Sequence, residues 1–296
     1  MAEGVAALGV EVSVATTDAD GDGRMDVPLD RPVSEGGVTY RFFGRTLPGS
    51  WKYSRSLSRW LNAHIVEFDV IHVHALFSHS TIPACRAAAR AGVPYVLRPL
   101  GTLDPWSLRH RSWKKAPYLR LVERTHLRNA AAIHVTSLQE AQAVEAVCCR
   151  ETIRCIPLGV GLPSDPVRDA RAPHTGPVRV LFLSRIHPKK GLPLLLEAVA
   201  RLEQERVPIE LLVAGSGEPA YEDSLRELCH TLGVAERVRF LGHVEGDAKR
   251  RLLAESDLFV LPSHQENFGI AVVEAMAAGL PVVVSDQVGV AAEVAA

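Results

Sequence analysis

From residue 178 onward the chain alternates short, almost wholly apolar runs with stretches of helical periodicity, a pattern that few folds accept. The apolar runs fall at 178–184, 209–214, 238–241, 258–262 and 281–285; residues 192–206, 221–232, 248–255 and 268–278 between them read as amphipathic helices. A strand that is apolar on both sides has to be covered on both faces. These runs therefore predict a parallel sheet sandwiched between helices. In such a sheet ligands bind beyond the carboxyl ends of the strands.

The first half reads as α/β too. Residues 1–8, 54–67 and 80–91 have helical spacing, while 10–16, 38–43, 70–74, 95–98 and 131–136 read as strands. Residues 157–177 hold five prolines and three glycines and read as a linker. The expected architecture is two Rossmann-like, doubly wound domains facing each other: residues 1–160, a linker at 161–177, and residues 178–296. A net charge of −1 over 296 residues gives no global field for nucleic acid. Five cysteines without a C-x-x-C pair fit a reducing compartment. No apolar run approaches the roughly 20 residues of a membrane span. The expected location is the cytoplasm.

One segment carries most of the chemistry. In Glu266-Asn267-Phe268-Gly269-Ile270-Ala271-Val272-Val273-Glu274, two carboxylates flank what reads as a helix start. If the helix began at the first acid, the second would lie roughly 12 Å further along the axis, on nearly the same face. The N–H groups of Phe268, Gly269 and Ile270 would lie between them, and the partial positive charge at a helix start suits an anion. Acid, anion hole, acid is the layout of a nucleotide sugar: hexose, pyrophosphate, ribose. Spacing alone equally fits an amphipathic helix with two exposed glutamates.

This block, with its continuation Glu274-Ala275-Met276-Ala277-Ala278-Gly279-Leu280-Pro281-Val282-Val283, resembles the E-x(7)-E signature of retaining GT-B glycosyltransferases, in particular glycosyltransferase family 4. The resemblance implies that Glu266 holds the transferred sugar and Glu274 the ribose. It also implies a strand and glycine-rich loop ahead of the first helix, whereas this chain opens inside what reads as that helix. The N-terminal sheet is accordingly expected to lack its first strand, and the C-terminal domain its closing helices.

Ser184-Arg185-Ile186-His187-Pro188-Lys189-Lys190-Gly191 follows the first strand of the second domain. A departing pyrophosphate needs its charge neutralised by a metal or by fixed cations. Arg185 can fork onto phosphate oxygens and Lys190 can add a point charge. The segment resembles the family's Arg…Lys-Gly motif, so both are expected to stabilise the leaving group, with no metal and no other cofactor. In Ala214-Gly215-Ser216-Gly217-Glu218, Gly215 and Gly217 are expected to let the backbone approach the nucleotide. His243, after Phe240-Leu241-Gly242, matches the family's base-binding strand end. The donor that the resemblance implies is a UDP-, GDP- or similar nucleotide sugar.

In the first half, His72 and His74 share one side of a strand, and His74 is the acceptor-side candidate. Arg98 and Asp104 belong to a loop similar to one family branch's Pro-x-Gly-x-Leu-x-Pro-Trp and join His74 on the acceptor side. Glu140, three residues after Ser137, reads as part of a helix cap. The run Asp18-Ala19-Asp20-Gly21-Asp22-Gly23 imitates a calcium loop, but position twelve is Leu29, so a mobile solvated loop is expected. Between Arg109 and Arg128 stand seven Lys/Arg and one acid, Glu123, with Trp113, Tyr118, Leu121 and Val122 interleaved. Either this segment lies on an anionic membrane at its inner face, or it is a solvated helix with its aromatics in the core.

The resulting expectation is a retaining, metal-independent hexosyltransferase acting on a saccharide or lipid-linked saccharide. The rival is a fragment that binds nucleotide sugar through its second domain without turnover. An oxidoreductase or epimerase is disfavoured, because Gly-x-Gly-x-x-Gly is incomplete and Tyr-x-x-x-Lys is absent.

Overall fold

The structure is a computed structural model that describes residues 1–21, 23–47, 51–109, 112–148, 150–161 and 176–295. Its chain divides into two units: Met1–Val135 with Glu140–Cys155, and Thr136–Gln139 with Ile156–Ala296. Most of the linker expected at 161–177 lies outside the described residues.

The first unit opens with helix α1 (Ala2–Ala6) and strand β1 (Val12–Thr17). A small hairpin follows, β2 (Ala19–Asp20) against β3 (Gly23–Arg24), and then β4 (Pro32–Glu35) and β5 (Val38–Phe43). Helix α2 (Arg55–His64) begins where extended Ser54 turns its hydroxyl to accept the Leu57 N–H, and it buries Leu57 and Leu61. Next come β6 (Ile71–His74), α3 (Thr81–Ala91) and β7 (Tyr95–Arg98). The basic region is broken into α4 (Pro105–Arg109), α5 (Ser112–Tyr118), a π-helical turn at Leu119–Glu123 and α6 (Arg124–Asn129). Pro117, which has no N–H to give the ladder, sits just ahead of the π turn. The unit closes with β8 (Ala132–Val135), α7 (Leu138–Glu145) and β9 (Ile153–Cys155).

Its longer strands form two ladders, β1-β5-β4 and β6-β7-β8-β9. Pairing is parallel except between β4 and β5. β1 and β6 both stand at ladder edges. Phe43, Leu57, Leu97, Leu127 and Ile133 fill the core. The short strands β2, β3, β4 and β9 are absent from the sequence reading, because runs of two to four residues are too short to carry a periodic pattern. Asp18 corrects the solvated-loop expectation. It is buried, its Oδ1 accepts the Arg45 N–H at 2.7 Å and its Oδ2 lies 3.5 Å from Arg24, so it pins the end of β1.

In the second unit, β10 (Val178–Leu183), α8 (Leu192–Gln204), β11 (Ile209–Ala214), α9 (Pro219–Thr231) and β12 (Val238–Gly242) come first. After them come α10 (Gly246–Glu255), β13 (Leu258–Leu261), α11 (Ile270–Ala277), β14 (Val282–Val284) and α12 (Ala291–Val294). The five strands are all parallel in the order β12-β11-β10-β13-β14. Leu181, Phe182, Leu211, Val213 and Phe259 are fully buried, as their near-continuous apolar sequence requires. Strand order reverses between β10 and β13, and the loops leaving those two strands bound the crevice where such sheets bind ligands. No helix among the described residues is long and apolar enough to cross a membrane.

Candidate active site

The loop after β10 and the loop after β13 are sewn together at this reversal point. His264 N–H donates to the Lys189 carbonyl at 2.8 Å, and Lys189 Nζ reaches Gln265 Oε1 at 3.4 Å. Lys190, only 7% exposed at the end of a 3-10 turn, donates to Glu266 Oε2. Burial, with the cations Lys189 and Arg185 beside it, pushes Lys190 down to about 8, while the Glu266 carboxylate acts in the opposite direction. Arg185 is exposed on the same loop. Two of the residues expected to carry the chemistry thus touch, and the third lies five positions away on the loop that binds them.

Glu266 does not lie on the helix. Its backbone bridges to Val288, donating to the Gln287 carbonyl at 3.0 Å and accepting from Gly289 at 2.9 Å. The helix starts four residues later at Ile270, behind Gly269 at φ +96°, where an added Cβ would meet Val288 Cγ1 at 2.8 Å. The shared helix face read from the spacing is therefore corrected: only Glu274 belongs to α11. Phe268 and Gly269 are buried ahead of Ile270, and the N–H groups here lack intrahelical partners, as at any helix start. Glu274 accepts from Lys249 Nζ at 2.8 Å, so each glutamate of the pair is held by a lysine from a different loop or helix.

Gly215 and Gly217 make a close approach of their own. The space their missing side chains leave is taken by the loop after β10. A Cβ on Gly215, at φ +136°, would lie 1.9 Å from the Ser184 carbonyl oxygen, and one on Gly217 would lie 2.1 Å from that of Ile186. Ile186 N–H donates to Ser216 at 2.9 Å, and Gly217 N–H to Glu222 Oε1 at 2.6 Å. These glycines fix the Arg185 loop in place. His243 extends into solvent with its side chain 70% exposed, 3.5 Å from Glu245.

In the first unit, His74 and Arg98 are cross-strand partners of β6 and β7. His134 of β8, which sequence reading missed, joins them: its Nδ1 lies 3.4 Å from His72 Nε2, and the two rings stack. Period two along β8 was the signal available, since it turns His134 to the face that carries His72 and His74. Desolvation, then His74, His134 and Arg98, push His72 down to about 4; His74 is lowered by desolvation and by Arg98. Among the described residues no group of three or more His, Cys, Asp and Glu is arranged to hold a metal ion. Arg98 is buried, with Nη1 3.6 Å from Met1 Sδ. Asp104 is buried at the start of α4 and its carbonyl accepts the Leu108 N–H at 2.9 Å. Glu140 is buried near the start of α7, and its Oε1 accepts the Gly101 N–H at 2.7 Å and so braces the loop between Arg98 and Asp104.

The basic segment divides its residues between core and solvent. Glu123 is fully buried, accepting the Phe77 N–H at 2.7 Å and facing His126 at 3.2 Å. Tyr118 stacks edge-on to Trp51. Trp113 and Leu121 are each 75% exposed, beside exposed Arg120 and Arg128.

Residues 1–159 match the family model described as Glycosyl transferase 4-like domain, and residues 165–296 the one described as Glycosyl transferases group 1. The chain belongs to the GT-B, family 4-like glycosyltransferases. A phosphatidyl-myo-inositol mannosyltransferase of Mycolicibacterium smegmatis is 31% identical over 237 residues, 78% of this chain and 56% of that protein. A D-inositol 3-phosphate glycosyltransferase of Mycolicibacterium gilvum is 31% identical over 226 residues, 73% and 50% of the two chains. An uncharacterized glycosyltransferase of Methanocaldococcus jannaschii is 45% identical over 106 residues, 36% of this chain and 26% of its own. This glycosyltransferase chain thus spans from about a quarter to just over half the length of these relatives. The solved structure of Anabaena HepE with UDP and glucose superposes with a TM-score of 0.68 at 23% identity, covering 86% of this chain and 69% of that one. Sucrose-phosphate synthase from Thermosynechococcus elongatus gives 0.74 at 22%, covering 98% and 75%. At these identities the structural likeness speaks for the GT-B fold.

Lys249, the partner of Glu274, is a residue that the sequence reading missed. It lies in the first turn of α10, just after β12, and so at the same carboxyl edge of the sheet as the motifs.

Proposed function

We propose that this chain transfers a hexose from a nucleotide diphosphate sugar to a saccharide or lipid-linked saccharide, with retention and without a metal. The observation that carries the reading is the contact between buried Lys190 and Glu266 at the reversal point of the second sheet, with Arg185 on the same loop. In this reading the bond between the anomeric carbon and the pyrophosphate oxygen breaks, and the acceptor hydroxyl attacks from the same face. The hydroxyl proton passes to the departing phosphate. Arg185, Lys190 and the amides of Phe268, Gly269 and Ile270 neutralise the charge that develops on the leaving group. Glu266 orients the sugar, and Glu274 accepts from the ribose. Gly215 and Gly217 seat the cationic loop, and His243 stands beside the base. Mannosyl and UDP-glucose relatives support a donor of this class. His74, Arg98 and Asp104 belong on the acceptor side.

The location that goes with this is the cytoplasmic face of an anionic membrane, reached through residues 109–128. Exposed Trp113 and Leu121 interleaved with Arg120 and Arg128 support that contact. Flotation with anionic vesicles tests it: Gln at the segment's basic positions should abolish binding, and unchanged binding ends the idea.

Glu266→Gln keeps the shape and removes the charge. Calorimetry with UDP- and GDP-sugars should show nucleotide affinity retained, while transfer falls roughly a hundredfold through loss of positioning. Unaltered transfer would overturn the assignment. A second reading, donor binding without turnover, is favoured by one fact: every donor-side residue belongs to the second unit. Binding with neither hydrolysis nor transfer would establish it.

A further inference from the structure

We infer that Lys249 is a positioning residue for Glu274, and that it sets the preference of this site for ribonucleotides. The inference rests on the donor reading above and deepens it. Lys249 projects from the first turn of α10, and its Nζ donates to Glu274 Oε1 at 2.8 Å. Both side chains are partly covered, at 32% and 25% exposure. A glutamate in the middle of a helix has three rotatable side-chain bonds and no fixed direction of its own. Anchoring one oxygen leaves the other carboxylate oxygen as the acceptor for the vicinal hydroxyls of a ribose. A partly exposed ion pair of this sort contributes little to folding, so its use lies in aiming the carboxylate. The two groups come from helices that follow different strands, β12 and β13, which means the contact also ties the base-side loop to the E-x(7)-E helix. Glu245 does not compete with Glu274 for Lys249, because its side chain faces His243 at 3.5 Å. Asp247 is held by Arg250.

The test is calorimetric titration of the full chain with UDP and 2′-deoxy-UDP, and with GDP and 2′-deoxy-GDP. The unaltered chain should bind the ribo form of its nucleotide more tightly, and Glu274→Gln should lose that margin. Lys249→Met should weaken ribo binding roughly tenfold, the range of one charge-assisted hydrogen bond, with deoxy binding unchanged. Lys249→Arg should restore most of the margin. A merely structural role would weaken both forms alike and lower the thermal midpoint. If Lys249→Met keeps the full ribo margin while Glu274→Gln loses it, the positioning role is overturned and the donor reading stands. If the unaltered chain shows no ribo margin, or binds neither nucleotide, the donor reading fails and this inference with it.

Discussion

Replacing Gly215 by alanine tests the seating of the cationic loop directly. The added Cβ would stand 1.9 Å from the Ser184 carbonyl oxygen and 2.9 Å from its carbon. Carbon and oxygen rarely approach closer than about 3.3 Å, so the two loops must part by roughly 1.4 Å. Nothing flexible is available to yield, because both contacts are backbone. Ser184 N–H is held to Ala214 at 3.1 Å and Gly215 N–H to Gly242 at 2.7 Å. Backbone strain at φ +136° costs about 1–3 kcal/mol, and forced packing about another 1–3 kcal/mol. Gly233→Ala is the control. It shares a positive φ of +71° with no atom within 4 Å, so it should cost only the left-handed strain of about 1–2 kcal/mol. Urea denaturation read by far-UV circular dichroism should place the Gly215 variant clearly below the Gly233 variant. Transfer at low temperature should fall about a hundredfold, since a displacement near 1 Å at Arg185 spoils its aim. A Gly215→Ala protein that unfolds no earlier than Gly233→Ala would refute the close approach of these loops.

Two further outcomes follow from buried charges. Lys190, pushed down to about 8, is cationic below that pH and neutral above it. Donor affinity should therefore hold below pH 8 and decline as pH rises through it, with proton uptake on binding measurable by calorimetry in buffers of different ionisation heat; Lys190→Arg should flatten the profile. Glu123→Ala should cost about 2–4 kcal/mol in thermal denaturation, because the Phe77 N–H and His126 both lose their partner, and Glu123→Gln should recover part of it.

The second unit was largely legible because its strands are apolar on both faces. The parallel sheet and the placement of the Arg185–Lys190 and Glu266 loops at its carboxyl edge follow from five runs, whereas the strand order comes from the structure alone. What the sequence hid depends on distant neighbours. Glu266 leaves the helix because Val288 and Gly289 bridge to it from further along the chain. Gly215 and Gly217 read as openings for a ligand, yet another loop's backbone fills them. Glu123 looked like the one acid of a solvated basic helix and is instead a buried acceptor 46 residues from its partner. Lys249 carries no local pattern, and for His134 the period of two along β8 gives the face while only the neighbouring strands bring it to His72.

The two ladders of the first unit leave β1, Val-Ser-Val-Ala-Thr-Thr, and β6, Ile-His-Val-His, at margins with no further strand among the described residues. Natural margins of this sort are usually blunted by lysine, proline or a bulge. Neither stretch carries a lysine or a proline, and β1 is rich in β-branched residues that pleat readily. Each is a template onto which an extended segment from a neighbouring molecule can zip, row by row, through the main chain. The main-chain groups along those two rails are the ones such a pairing would satisfy.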